Sequence, residues 1–402
     1  HMILWVMPDC GARTKEVYHL LSQRFEQEHP GTQLTVQVLT RNILWKKIFT
    51  LKHPADGEVI PDVVQIPHYW TALLTRAGVA ENLSKLDPGL SLATVLFPLK
   101  PHCCKPGTKD VYSYPWWFDM SALHYRTDHL KKVTAHPEQD LATWQGLLEV
   151  CARLADYFKD QEGYFPMQNG DWRGSLSTRS TFTEIWGRGA DLFTPDLKDT
   201  QIGTDAFKQG VKDYITLALK NYMPILRERG SLGTMMSGKA SMLLSRKQGV
   251  ASFEGRSRVR VSTVPVPRTG EQPQAYLSGM NLMMNTAGQD KETALEFIRW
   301  CTRPDNQIRT AADMEVFPAF EESFEQLIFS SSQRLQTYAG ILASARTLPN
   351  ITITGTVVEI LNKVLAVSAT QIVEGRFTQA SLDIELDRAA KETQYLLSLY
   401  EG

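Results

Sequence analysis

The chain lacks the positive excess that nucleic-acid binding needs, with 43 Lys and Arg against 44 Asp and Glu and a net charge of -1 at pH 7. A broad phosphate-reading surface is thereby excluded, and no nucleic-acid partner is expected. No uninterrupted apolar run reaches the roughly 18 residues of a membrane span. Cysteine is scarce. The five, Cys10, Cys103, Cys104, Cys151 and Cys301, are odd in number and irregular in spacing, which excludes a disulfide framework. His102-Cys103-Cys104 has no second Cys/His pair near it at zinc-ligand spacing, so neither a metal site nor a cofactor is expected. Internal repeats and low-complexity tracts are missing too. His1-Met2 reads as the remnant of an expression tag, so a native leader or anchor ahead of Ile3 would be absent from these residues.

What is present is an ordinary globular balance, 43% hydrophobic and 22% charged residues. At 402 residues the chain is too long for one core, and two domains are expected. Ile3–Met7 is a continuous apolar run of strand length, which suits a buried parallel strand. Val17, Leu20, Leu21 and Phe25 then recur at helical spacing until Pro30-Gly31 stops the helix. Leu34, Val36 and Val38 alternate as a second strand, Trp45–Leu51 reads as a short helix, and Val63–Ile66 as a third strand. Strand, helix, strand, helix, strand begins a doubly wound sheet, whose ligands sit beyond the carboxyl ends of the strands. Asp9, Cys10, Trp45, His68 and Trp70 fall there or close by.

Further on, helices are expected from Thr143 through Leu154, over Phe207–Leu219, about Met223–Arg229, over Lys291–Thr302, and in two C-terminal stripes. One of those stripes is Val357, Ile360, Leu361 and Val364. Tyr276–Met284 reads as a strand interrupted at Ser278-Gly279. Three places look like crossings between lobes: Pro115 in VYSYPWWFDM, Pro265 after the strand Val259–Val264, and Phe317-Pro318. Adjacent residues of a strand point to opposite sides. One of Trp116 and Trp117 is therefore expected in a core and the other in a cleft, with Trp117 assigned to the cleft.

The tryptophans Trp45, Trp70, Trp116, Trp117, Trp172 and Trp186 lie at element ends or in loops, whereas Trp5 and Trp144 sit inside elements and are read as core. A flat indole suits the C–H face of a pyranose and equally a quaternary ammonium. Arg13, Arg173, Arg188 and Arg246 would suit a phosphate. A glycosidase needs two carboxylates about 5–10 Å apart. Asp62, Asp119, Asp171, Glu184 and Asp191 are candidates that no sequence feature pairs, and a binding protein would use the same groups to accept hydroxyl hydrogen bonds.

Taken in order, the segments RFEQEHPG (Arg24–Gly31), PDVVQI (Pro61–Ile66), AGVAENLSKL (Ala77–Leu86), YSYPWWFDMSALHYRTDHLKK (Tyr112–Lys132), TWQGLLEVCARLA (Thr143–Ala155), SGKASMLL (Ser237–Leu244), VPVP (Val264–Pro267) and EFIRWCTRPDNQ (Glu296–Gln307) resemble the extracellular solute-binding proteins, family 1, of bacterial ABC importers. The resemblance covers nearly the whole chain. It implies an α/β fold of two doubly wound lobes joined by a three-crossing hinge, the type II periplasmic-binding arrangement. Residues 1–115 plus 265–315 would form one lobe, and 119–262 plus 318–402 the other. It further implies a site lined by the loops after the first strands, by the crossing aromatics, and by the step at Ser278-Gly279 with Asn281 beside it. The expected ligand set is Asp9, Cys10, Arg13, Trp45, His68, Trp70, Trp116, Trp117, Asp119, Trp172, Trp186, Arg246, Ser278, Gly279 and Asn281. The expected function is capture of a mono- to oligosaccharide or glycosylated polyol and its delivery to membrane permease subunits. A monomer without enzymatic activity is expected, in the periplasm or anchored to the outer face of the cell membrane. The alternatives are a glycerophosphodiester or phosphorylated-polyol binding protein and, from another class, a carbohydrate-active enzyme.

Overall fold

The computed structural model describes residues 1–53, 57–169, 176–225, 231–246, 259–329 and 333–400. The first apolar run is strand β1 (Met2–Val6), which pairs in parallel with β2 (Leu34–Val38) and with β3 (Val63–Pro67). Between them lies the Thr14–Glu28 helix, which buries Val17, Tyr18, Leu21 and Phe25 as the periodicity requires. The next helix is Arg41–Ile48, starting four residues before the expected Trp45 because Thr40 caps it by accepting from the Ile43 amide.

The remaining strands are β4 (Tyr114–Met120), β5 (Ala122–Arg126), β6 (Phe165–Asn169), β7 (Ala240–Ser245), β8 (Val261–Val264), β9 (Leu277–Met284) and β10 (Phe317–Pro318). They build two sheets, one of six strands in the order β10-β4-β9-β3-β1-β2 and one of four in the order β6-β7-β5-β8. The strand sequences explain their places. β3, β4 and β9 are buried along their whole length inside the larger sheet, whereas β2 alternates and takes the edge. β9 returns antiparallel to both β3 and β4 and is unbroken through Ser278-Gly279.

The chain changes sheet twice and leaves the larger sheet a third time after its last strand. Only Ser121 separates β4 from β5, Pro265–Tyr276 lead from β8 back to β9, and β10 is followed by the C-terminal helices. The first change therefore falls at Ser121, not at Pro115. Pro115 lies within β4, at a bulge where the register on β9 slips between Pro115 and Trp117, a position that tolerates a residue without a ladder donor. Trp5 and Trp144 are core residues. Of the helix expected near Met223–Arg229, Met223–Ile225 is not helical and the rest lies outside the described residues. The C-terminal stripes are the helices Thr354–Val373 and Gln379–Ser398. Glu359 and Lys363 interrupt the first, yet by length and average composition it is apolar enough to cross a membrane.

Candidate ligand-binding cleft

A cleft of about 1250 Å³ opens where the doubly wound rule places one. Met7, Pro8, Asp9, Gly11 and Ala12 line it from the carboxyl end of β1, Thr40, Arg41 and Asn42 from that of β2, and Tyr69 from that of β3. The opposite side comes from the start of the Thr178–Gly187 helix (Leu176–Arg179), from Ile225 and Arg246, and from Tyr276, Met280 and Leu348. One face of the Thr354–Val373 helix completes the wall. Among the described residues the cleft-lining charges balance, with Arg41, Arg179 and Arg246 against Asp9, Glu359 and Glu374.

Several of the polar groups are held from behind. The buried Gln65 donates from Nε2 to Asp9 Oδ2 at 2.9 Å, and its Oε1 accepts from the Met7 amide at 2.8 Å. Asp119 is fully buried and forms an ion pair with Arg246, whose other side faces the cleft. Arg41 donates to the Tyr69 hydroxyl and lies over the Trp70 ring at 5.0 Å, while Trp45 packs on Trp70 at 4.8 Å. A side chain at position 355 would bring its Cβ to 3.1 Å from Trp45, so Gly355 lets the long helix start against this pair. Thr178 donates to Asn362 Oδ1, and Asn362 Nδ2 donates to Glu359 Oε2 at 3.3 Å, which ties the two wall helices together.

Of the expected ligand set, Asp9 and Arg246 line the cleft and Asp119 stands directly behind Arg246. Cys10 is half-buried beside them, its thiol pushed up to about 12 by burial and by the Asp9 charge. Arg13 turns to Glu16 and Glu315, each at 3.7 Å. His68 and Trp70 point into protein on either side of Tyr69, which faces the cleft. His68 is fully buried. Its Nδ1 accepts from the Gly279 amide at 2.6 Å and its Nε2 meets the Thr347 hydroxyl. Burial depresses its pKa to about 4. Gly279 is the reason it fits, since a Cβ there would sit 2.9 Å from His68 Nδ1. Ser278 and Asn281 are buried with it in β9, and Asn281 donates to Ser113 and to the His102 carbonyl.

Neither Trp116 nor Trp117 lines the cleft; both are core residues, 0% and 1% exposed. β4 lies between two other strands and is buried along its whole length on both faces, so alternation turns neither ring outward. Trp186 is buried as well, stacked on Tyr276 at 5.6 Å and covered by the Arg346 guanidinium at 5.3 Å, so it backs a cleft residue. Trp172, with Asp171 and Arg173, lies outside the described residues. Among the described residues no tryptophan lines the cleft, and its aromatic faces are Tyr69 and Tyr276.

The carboxylates considered for hydrolysis are dispersed. Asp62 accepts the amides of Ile3, Gln289 and Asp290. Glu184 is in the core with its carboxyl held well above the usual range by burial, and Asp191 pairs with Arg346.

Comparison with known proteins agrees with this geometry. The family described as "Bacterial extracellular solute-binding protein" matches residues 21–337. The chain belongs to that family. A mannitol-binding protein of Pseudomonas aeruginosa is 24% identical over 291 residues, which are 70% of this chain and 65% of that protein, so just under two thirds of that relative is covered. Among solved structures, an ABC transporter solute-binding protein of Thermotoga lettingae bound with α-D-tagatose superposes with a TM-score of 0.83 at 17% identity, covering 98% of this chain and 99% of that one. Maltose-bound MalE3 of T. maritima does so with a TM-score of 0.82 at 19% identity, covering 98% and 99%. These likenesses show the fold, an α/β architecture of the type II periplasmic-binding kind.

Proposed function

We propose that this chain captures a neutral, hydroxyl-rich small molecule, a mono- to oligosaccharide or sugar alcohol, and presents it to the permease subunits of an ABC importer. The observation that carries the reading is the matched charge of the cleft among the described residues, three guanidinium groups against three carboxylates. Such a lining offers donors and acceptors to hydroxyls on every side. A phosphorylated ligand would meet Asp9, Glu359 and Glu374 as like charges, so the arginines do not favour one. The names of the mannitol-, tagatose- and maltose-bound relatives support the same class. Capture without chemistry fits the family and the dispersed carboxylates. The place of work would be outside the cytoplasmic membrane, in the periplasm or anchored at the outer face.

Closure would bring the two sheets together about the crossings at Ser121, Pro265–Tyr276 and β10, with lobes close to 1–120 plus 265–315 and 122–262 plus 318–402. Contacts made to both lobes at once would stabilise the closed form. A thermal-shift screen of hexoses, hexitols, disaccharides and phosphodiesters tests the reading. A ligand at about a thousand times its Kd adds about 4 kcal/mol to the fold, a clear upward shift. Stabilisation by phosphorylated compounds alone would overturn the proposal.

A further inference from the structure

The cleft face of the Thr354–Val373 helix is divided by chemistry along its length. Its first turns present Glu359 and Asn362, the pair held by Thr178. Beyond them the lining residues are Leu365, Ala366, Ala369, Thr370 and Val373, and Glu374 closes the stretch at the helix C-cap. The one hydroxyl among them, on Thr370, has its proton committed to the Ala366 carbonyl at 3.0 Å, so it offers the cleft no donor. From Glu359 to Val373 the helix rises about 21 Å at 1.5 Å per residue, so the apolar half is long enough to hold a separate part of a ligand. A second observation agrees. The helix is apolar enough to span a membrane, yet only 44% of its most apolar window is buried within the protein, whereas a helix apolar on all sides is normally covered.

A sugar ring laid on Leu365–Val373 would leave hydroxyls without partners there, at roughly 1–3 kcal/mol each. A group without hydroxyls would gain by the same burial. We propose that the physiological ligand is a glycoside: its sugar is held at Glu359–Asn362 and its apolar aglycone lies along Leu365, Ala366, Ala369 and Val373. This rests on the hydroxyl-rich reading of the cleft and narrows it.

Isothermal titration with mannitol, and with D-glucose, D-galactose and D-mannose each as the free sugar, the methyl glycoside and the phenyl glycoside, tests it. In the series that binds, the phenyl glycoside should bind at least tenfold tighter than the methyl glycoside. Ala366→Asp puts a charge on the apolar stretch at an exposed position, and it should bring that ratio towards one. Its fold is checked by the melting curve. If the variant melts early, Ala366→Gln takes its place with the same expectation. Equal binding of phenyl and methyl glycosides would overturn the aglycone subsite and leave the sugar reading standing. Binding by no member of the panel would overturn this inference, while the sugar reading stands or falls by the thermal-shift screen.

Discussion

His68 makes a sharp energetic prediction. Its imidazole is fully buried between the Gly279 amide and the Thr347 hydroxyl, edge-on to His102 at 4.3 Å. Burial, opposed in part by the Gly279 carbonyl 2.8 Å from Nδ1, takes its pKa from 6.5 to about 4, and burial holds His102 well below its usual value. The unfolded chain takes up a proton on this residue near pH 6.5, while the folded protein resists it until about pH 4. The stability it contributes is therefore complete above pH 6.5, declines as the pH falls below that, and is gone by about pH 4. A depression of that size corresponds to about 3 kcal/mol. With an unfolding entropy of about 2.1 cal/mol/K per residue, 402 residues melting as one unit would shift by about 4 °C. Other groups titrate in the same range, so the assay is the difference in Tm between the parent and His68→Gln, measured from pH 7.5 to pH 4. The parent's advantage should shrink by that amount over the interval. A difference that stays flat would mean the imidazole is solvated, and the account of the His68–Gly279 junction would be wrong.

Three further outcomes follow from the site. Gln65→Glu sets a carboxylate against Asp9 where an amide now donates at 2.9 Å. At an effective dielectric of 20 the repulsion approaches about 4 kcal/mol near 4 Å. Because the folded pair would release its shared proton at higher pH than the unfolded chain, the loss of Tm should grow from pH 4 to pH 8, and a loss independent of pH would refute the contact. Arg246→Met removes the guanidinium partner of the buried Asp119, and denaturant melts should show a loss of about 3–5 kcal/mol, partly restored by adding Asp119→Asn; an unchanged melt would refute the pairing. Trp116→Ala and Trp117→Ala should each cost about 3–5 kcal/mol through a core cavity, and either variant melting like the parent would contradict the packing around β4.

The architecture was largely legible in the sequence, because most core-facing runs carry the period of their element. Met2–Val6, Val63–Pro67 and Lys291–Thr302 fall where apolar pattern and capping residues put them. The cleft was legible as a place and less so as a set of side chains. The strand-end rule located the loops after β1, β2 and β3, but which member of each loop faces outward depends on a single residue of rotation. His68-Tyr69-Trp70 illustrates it, since the two residues with the more suggestive chemistry turn inward and the tyrosine between them lines the cleft. The Thr354–Val373 helix hides a second kind of information. Its buried stripe of Val357, Ile360, Leu361 and Val364 was visible, while Glu359 and Asn362 on the adjoining face resemble ordinary solvated positions. Only the partner helix, through Thr178, makes them part of a wall. Trp116 and Trp117 fail for a third reason, as β4 is covered on both faces, which depends on its place in the sheet and not on its own alternation.

The inward turn of His68 also explains how the cleft keeps its shape. Segments far apart in sequence meet at this imidazole: the end of β3, the middle of β9, and Thr347, whose neighbour Leu348 lines the cleft. Arg346, one residue earlier, is paired through its backbone with Ala275 and Leu277, at the point where the chain returns from the smaller sheet to the larger. Two anchors thus flank Tyr69. His68 fixes one side to the return crossing, and Trp70, under Arg41 and against Trp45 and Gly355, fixes the other to the start of the wall helix. A polar side chain placed between two such anchors has little rotamer freedom left to lose when a ligand arrives, so less of the binding energy is spent on ordering. The aromatic and imidazole groups that look like ligand contacts in the sequence lie one layer back, where they decide the direction in which the cleft-lining residues point.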